Sequence, residues 1–270
     1  MNSQKKLCHI REFTKEYIKE YYSENNGGKG ETLRLFNKVS FPQGSLSILG
    51  VRESHESMDF ALNIIAEHCL AGNKSIAFFS LQNGYEEVIN RLIRLVCKGP
   101  LVDYHNEKHK DRIKSTIKTI EKAPFYLDNS PQIAQEDINE RITNLSALKL
   151  IIIDSMEFLQ HNNNLKGFEE VAFKLKQIAE KHNIPIILFC KLPFGGSGDE
   201  RLYKEDFRRY GNLEVYADIM GCLYSPNSSK SSLIDKYCLS ICKNNYGDSQ
   251  NILLDFNPET IAFNIREAQI

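Results

Sequence analysis

Two stretches of this chain, Leu150-Ile-Ile-Ile153 and Ile184-Pro-Ile-Ile-Leu-Phe189, are apolar at nearly every position rather than at every second one. Strands of that kind are buried on both faces, the condition of interior strands in a parallel sheet covered by helices. The surrounding pattern agrees with this. From residue 44 onward, strands are predicted at 46–51, 75–80, 125–128, 149–154, 185–190, 219–224, 236–242, 251–256 and 261–265. Helices are predicted at 58–70, 84–97, 108–122, 134–146 and 167–182. The fold class is therefore α/β, with a mainly parallel, twisted central sheet flanked by helices. The last three strands follow one another through turns, one of them marked by Asn257 and Pro258, and form an antiparallel C-terminal edge.

The first strand and helix carry the most informative local feature. Leu46–Val51 runs into a short polar loop, Arg52-Glu53-Ser54-His55-Glu56-Ser57-Met58, followed by apolar residues at Phe60, Ala61, Ile64 and Ile65. This is the layout of a phosphate-binding loop, G-x-x-x-x-G-K-[ST], in which Gly admits the anion, Lys neutralises it and the hydroxyl holds Mg²⁺. Glu56, Ser57 and Met58 stand at those three positions. A carboxylate replaces the glycine, and no Lys lies between Gly50 and Phe60. Helix N-terminal amides favour anions, but Glu53, Glu56 and Asp59 are expected to outweigh an end charge of about +0.5.

Composition narrows the classes. The net charge of −1 in 270 residues excludes a global basic field, though a local patch remains open. Seven cysteines, an odd number with no CxxC pair, predict reduced thiols, and Cys69, Cys190 and Cys238 lie inside apolar runs. The N-terminus has no hydrophobic signal core, and no apolar run approaches the roughly 20 residues that span a bilayer. These features predict a cytoplasmic protein with no membrane partner. Residues 1–31 read as an amphipathic helix at 9–23 plus a flexible linker, Asn25-Asn-Gly-Gly-Lys-Gly30, ahead of a domain at 32–270. The helix either docks on a neighbouring subunit or folds back on its own domain.

Further motifs follow the strands. Leu148–Asp154 is an apolar strand closed by a carboxylate, the place where a phosphate-binding-loop fold holds Mg²⁺ through water. Gln82 follows the second strand, where such enzymes often carry a Glu that activates water; an amide cannot take that proton. His105 and His109 have i, i+4 spacing but no evident third ligand, so no metal site is expected.

In order along the chain, Arg52 with Phe60-Ala61-Leu62-Asn63, then Phe78-Phe79-Ser80-Leu81, Phe125–Pro131, Ile151–Asp154, Phe207–Asp218, Cys242–Gly247 and Asp255–Thr260 resemble motifs of one family. The chain resembles the C-terminal, RecA-like motor domain of DnaB-type replicative helicases over roughly residues 32–265. The resemblance implies a RecA-like P-loop NTPase fold and a role in DNA replication. It also shows what this sequence has lost. The family's loop Lys falls on Ser57, its hydroxyl on Met58, its catalytic Glu on Gln82 and its γ-phosphate-sensing Gln on Cys190. The arginine that reaches a neighbour's nucleotide falls on Asn245, with Lys243 retained. An arginine finger alone contributes orders of magnitude in rate, so these losses together leave little route to fast hydrolysis.

Family members hold single-stranded DNA on channel-facing loops. One such loop matches Phe194–Arg209, where Lys204, Arg208 and Arg209 suit phosphate contact and Tyr203 suits base stacking. The bland alternative is a solvated loop whose basic residues pair with Asp199, Glu200, Glu205 and Asp206. Three functions compete at this stage. The leading one is a non-hydrolysing, DnaB-like binding or assembly module in DNA replication or mobile-element DNA metabolism. Its partners would be single-stranded DNA, further copies of itself, or a replicative helicase or other replisome protein, and it needs no cofactor. The second is an active ATP- and Mg²⁺-dependent helicase in which Arg52, Lys74 or Lys243 supplies the missing charge. The third is a pure protein-interaction partner, such as a helicase inhibitor or loader.

Overall fold

The continuous apolar runs occupy the interior of a nine-stranded sheet. The computed structural model describes residues 32–99, 107–145, 147–160, 165–192, 201–226 and 234–266; the segment 1–31, His105 and the glycine-containing segment 193–200 lie outside these. In chain order the strands are β1 (Leu33–Leu35), β2 (Val39–Phe41), β3 (Leu46–Val51), β4 (Ser75–Ser80), β5 (Phe125–Asp128), β6 (Leu148–Asp154), β7 (Ile186–Lys191), β8 (Ile219–Tyr224), β9 (Asp235–Asn244), β10 (Gln250–Asn257) and β11 (Ala262–Ile265). The helices are α1 (Ser54–Ile65), α2 (Tyr85–Cys97), α3 (Glu107–Lys122), α4 (Gln135–Thr143) and α5 (Leu165–His182).

The main sheet has the order β11-β10-β9-β8-β3-β7-β6-β4-β5. Strands β8, β3, β7, β6, β4 and β5 are parallel, and β9, β10 and β11 extend the sheet antiparallel. Both the parallel body and the antiparallel edge are as the sequence pattern predicts. Pro185 sits just ahead of β7, where its missing N–H costs the ladder nothing, and its carbonyl accepts the Ile151 N–H.

Each face of the sheet carries its own apolar layer. On one, Phe60 and Ile64 of α1 and Val88, Leu92 and Leu95 of α2 pack with Phe78, Ile152 and Phe189. On the other, Ile138 and Ile142 of α4 and Leu175 and Ala179 of α5 pack with Ile48, Phe79 and Ile153. Phe60 is fully buried, with edge-on rings from Phe189 at 6.4 Å and Phe263 at 5.3 Å. Burying such a ring contributes about 1.5–3 kcal/mol.

Two elements depart from the sequence reading. The β1–β2 hairpin is a separate two-stranded sheet that buries Leu35, Val39 and Phe41 against the α1 layer. Three-residue strands are too short for alternation to register. The second departure matters more for function. Helix α1 begins at Ser54, not at 58, so most of the polar loop is wound into its first turn.

Candidate functional site

The site is built where parallel strands end side by side. Gly50 of β3 pairs with Cys190 of β7 and Cys222 of β8, and Ser80 of β4 pairs with Asp154 of β6. The Leu81 N–H donates to the Asp154 carbonyl at 2.8 Å, which extends that edge by one residue and places exposed Gln82 beside it. Gly50 is required by close approach. A Cβ there would stand 2.9 Å from Cζ of Phe207 and would collide with Leu192.

The junction from β3 to α1 is closed by its own side chains. Oε2 of Glu56 accepts the N–H of Arg52 at 3.1 Å and that of Glu53 at 3.0 Å. Its Oε1 accepts the hydroxyl of Tyr237, from β9, at 3.0 Å. Glu56 is the third residue of the helix and Glu53 its N-cap, so the carboxylate reaches back over the helix end as in a capping box. Glu56 is both a helix former and a cap, which explains why α1 starts ahead of residue 58.

The other loop residues take structural places. The guanidinium of Arg52 donates to the Arg201 carbonyl at 3.0 Å. The Ser57 hydroxyl donates to Oδ1 of Asp154 at 2.6 Å, with both residues fully buried. Met58 joins the apolar layer beneath α1, and His55 is exposed. The acidic character expected of this junction is partly cancelled, because Asp59 is paired with Arg91 at 2.6 Å. Burial still raises the Asp59 pKa against that pairing.

Asp154 closes β6. Burial pushes its carboxyl up to about 7, with the Ser57 hydrogen bond pulling down and the Glu157 charge pushing up. Cys190, at the end of β7, is fully buried, and burial raises its thiol well above the ordinary range. Beside it, Glu157 accepts the Lys191 N–H at 2.6 Å and the hydroxyls of Ser155 and Tyr210. Burial, then the Glu157 charge, raises the Tyr210 hydroxyl, whose single proton is shared between Glu157 and the Lys191 carbonyl. Glu157 and Tyr237 do not stand out in the sequence, because each reaches this edge from a segment without a motif of its own, and Tyr210 lies in the stretch Phe207–Asp218 with nothing there to mark its hydroxyl.

The remaining predicted residues lie elsewhere. Lys243 donates from Nζ to the carbonyls of Glu214 at 2.7 Å and Ala217 at 2.6 Å. Asn245 sits on Asp218, whose carboxylate accepts the Leu46 N–H at the start of β3, so both are at the opposite end of the sheet from Glu56. Lys204 pairs with Glu214 at 2.5 Å, while Asp206 accepts the Tyr203 N–H at 2.8 Å. Arg208, Arg209 and Tyr203 are exposed, and the Arg209 guanidinium lies 5.1 Å from the Tyr210 ring. A cavity of about 320 Å³ lined by Gln135, Glu136, Gln160 and Lys174 lies between α4 and α5, away from the loop.

The sheet order and the strand-to-helix junction at one edge of it define a RecA-like member of the P-loop NTPase superfamily. Residues 36–265 match the DnaB-like helicase C-terminal domain model, and the chain belongs to that family. The replicative DNA helicase DnaC of Bacillus subtilis is 27% identical over 203 residues, 69% of this chain and 44% of that protein. This chain thus spans less than half the length of that curated relative. Among solved structures, a chain described as an ATPase domain superposes with a TM-score of 0.82 at 19% identity, covering 94% of this chain and 98% of that one. A DnaB-like replicative helicase, described with its primase interactions, gives 0.78 at 18% identity over 92% of this chain and 65% of its own.

Proposed function

We propose that this domain keeps the helicase motor fold as a binding and assembly module in DNA replication or mobile-element DNA metabolism, and does not turn over ATP. The observation that carries this reading is the Glu56 carboxylate at the helix end, where it accepts the amides of Arg52 and Glu53. Two further features support it. Ser57 commits its hydroxyl to Asp154, and Met58 offers no hydroxyl to a cation. A triphosphate with Mg²⁺ is a poor match to this junction. The anion would meet a buried carboxylate, and the cation would have to displace a buried hydrogen bond. Gln82 offers no base.

Binding partners follow from what stays outward. Tyr203 is 48% exposed, and Arg208 and Arg209 are exposed beside it, a short platform suited to the bases and phosphates of single-stranded DNA. Self-association or docking on a replicative helicase or other replisome protein fits the retained motor fold. No helix among the described residues is long and apolar enough to cross a membrane.

The test is a thermal melt with ATP, ADP and Mg²⁺, read beside an ATPase assay with and without single-stranded DNA. A ligand at about 100-fold excess over Kd stabilises by about 2.7 kcal/mol, which a melt resolves. The expected result is no shift and no DNA-stimulated turnover. A Mg²⁺-dependent shift with hydrolysis overturns the reading. Binding of a labelled oligonucleotide that weakens steeply with salt supports the DNA contact, and its absence removes that contact from the proposal.

A further inference from the structure

A helix N-terminus presents unpaired N–H groups and about half a unit of positive charge, and a negative group placed there is stabilised. In a phosphate-binding loop the negative group is the ligand. In this chain a negative group is already present. Glu56 is only 7% exposed, and its two carboxylate oxygens take the Arg52 and Glu53 amides and the Tyr237 hydroxyl. We propose that the Glu56 carboxylate is a built-in substitute for phosphate, which shuts anions out of the junction and holds it permanently in a ligand-filled shape. This rests on the reading that the domain does not turn over ATP and supplies its physical cause.

The surroundings of Glu56 favour this over a routine cap. The Tyr237 ring is clamped by Phe256 at 5.5 Å and Phe263 at 5.3 Å, so its hydroxyl is aimed and not merely available. Burial and the nearby Glu56 charge raise the Tyr237 pKa, which keeps it protonated as a donor. On the other flank, Arg52 reaches the Arg201 carbonyl, two residues before Tyr203. One carboxylate therefore ties the junction to the antiparallel edge, while the adjacent guanidinium ties it to the outward platform. A bound ligand would make such links conditional; a covalently attached one makes them constant.

The experiment compares the wild-type chain with Glu56→Gly and Glu56→Gln, using inorganic pyrophosphate without Mg²⁺ as the probe in a thermal melt. Glu56→Gly removes the internal anion, and Glu56→Gln keeps the shape while removing the charge. The wild type should be insensitive. Both variants should gain a saturable rise in Tm, with pyrophosphate binding at least about tenfold tighter than in the wild type, about 1.4 kcal/mol. If Glu56→Gly does not melt cooperatively, Glu56→Gln alone decides. Folded variants as blind to pyrophosphate as the wild type reduce Glu56 to an ordinary cap and overturn the proposal. So does a wild type that binds pyrophosphate equally well. ATP turnover by the wild type would instead strike the functional reading, so the two failures are distinguishable.

Discussion

Ser57 and Asp154, 97 residues apart in the chain, are joined by a 2.6 Å hydrogen bond from hydroxyl to carboxylate. The bond fastens the first turn of α1 to the end of β6, across the edge where β7 lies between β3 and β6. Oδ2 of Asp154 is buried with no hydrogen-bond partner. One oxygen of the carboxylate is satisfied and the other is stranded, which makes the charged form costly.

This arrangement predicts a pH-dependent stability. Burial raises the Asp154 pKa to about 7 from an ordinary value of 3.8. An acid whose folded pKa lies above its unfolded one favours the protonated folded state, so its contribution is intact below the unfolded value. That contribution is lost as pH rises from about 4 through about 7. Asp154→Asn lacks the titration. In urea melts in EDTA, the stability of Asp154→Asn relative to wild type should rise across that window and level off above it. The gain is at most about 4 kcal/mol. A difference that does not change with pH would show that Asp154 is not the titrating group.

Ser57→Ala should act in the opposite sense. Without the hydroxyl, ionised Asp154 loses its hydrogen bond, and its pKa should rise further. Removing one partner of a buried, charge-assisted bond costs about 1–3 kcal/mol. That loss is expected in full at pH 8 and should shrink at pH 5, where the carboxyl is neutral in the folded state. A double-mutant cycle with Asp154→Asn isolates the coupling, expected at about 0.5–3 kcal/mol.

Much of the architecture is legible in the sequence because it rests on periodicity. Continuous apolar runs such as Ile184–Phe189 announce interior strands, and the segments 46–51, 75–80 and 219–224 have the predicted bounds. What the sequence does not convey is side-chain reach. As sequence, the polar loop is an acidic obstacle ahead of a helix at 58, whereas in the fold Glu56 turns back, caps the helix and lets it begin at Ser54. Tyr237 sits 181 residues from Glu56, and nothing local marks its hydroxyl as aimed there. Lys243 is legible as a retained basic position, yet its ammonium is committed to two carbonyls of its own domain. Identity survives in a motif where function is decided by partner, and partner is a property of the fold.

Tyr237→Phe removes only the hydroxyl that Glu56 accepts. The ring should stay clamped by Phe256 and Phe263, and the loss should be about 1–2 kcal/mol in a urea melt. Tyr237→Ala also empties the aromatic cluster and should cost about 3–5 kcal/mol. Equal effects of the two substitutions would mean that packing, and not the hydrogen bond to Glu56, is what Tyr237 supplies.

Gly50→Ala tests whether the junction's glycine serves packing. The added methyl would press on Leu192 and Phe207, and overpacking of this kind costs about 1–3 kcal/mol. Because Leu192 ends in a flexible side chain, Leu192→Ala should recover part of that loss in the double variant. No recovery would place the strain on Phe207 or on the backbone.

Restoring a phosphate-binding sequence should require three changes instead of two. Ser57→Lys with Met58→Thr supplies the missing charge and hydroxyl but leaves the Glu56 carboxylate on the amides of Arg52 and Glu53. The new ammonium would stand at the residue that now contacts Asp154, and pairing with that carboxylate would draw the carboxyl pKa down. The double variant should therefore remain blind to ATP–Mg²⁺ in a thermal melt. Adding Glu56→Gly frees the helix end, and the triple variant should gain about 2.7 kcal/mol at roughly 100-fold excess over Kd. Turnover should stay absent if the proposed reading holds, in which Gln82 supplies no base and Asn245 no arginine finger. A double variant that binds ATP as tightly as the triple would show that the Glu56 carboxylate is no barrier to nucleotide.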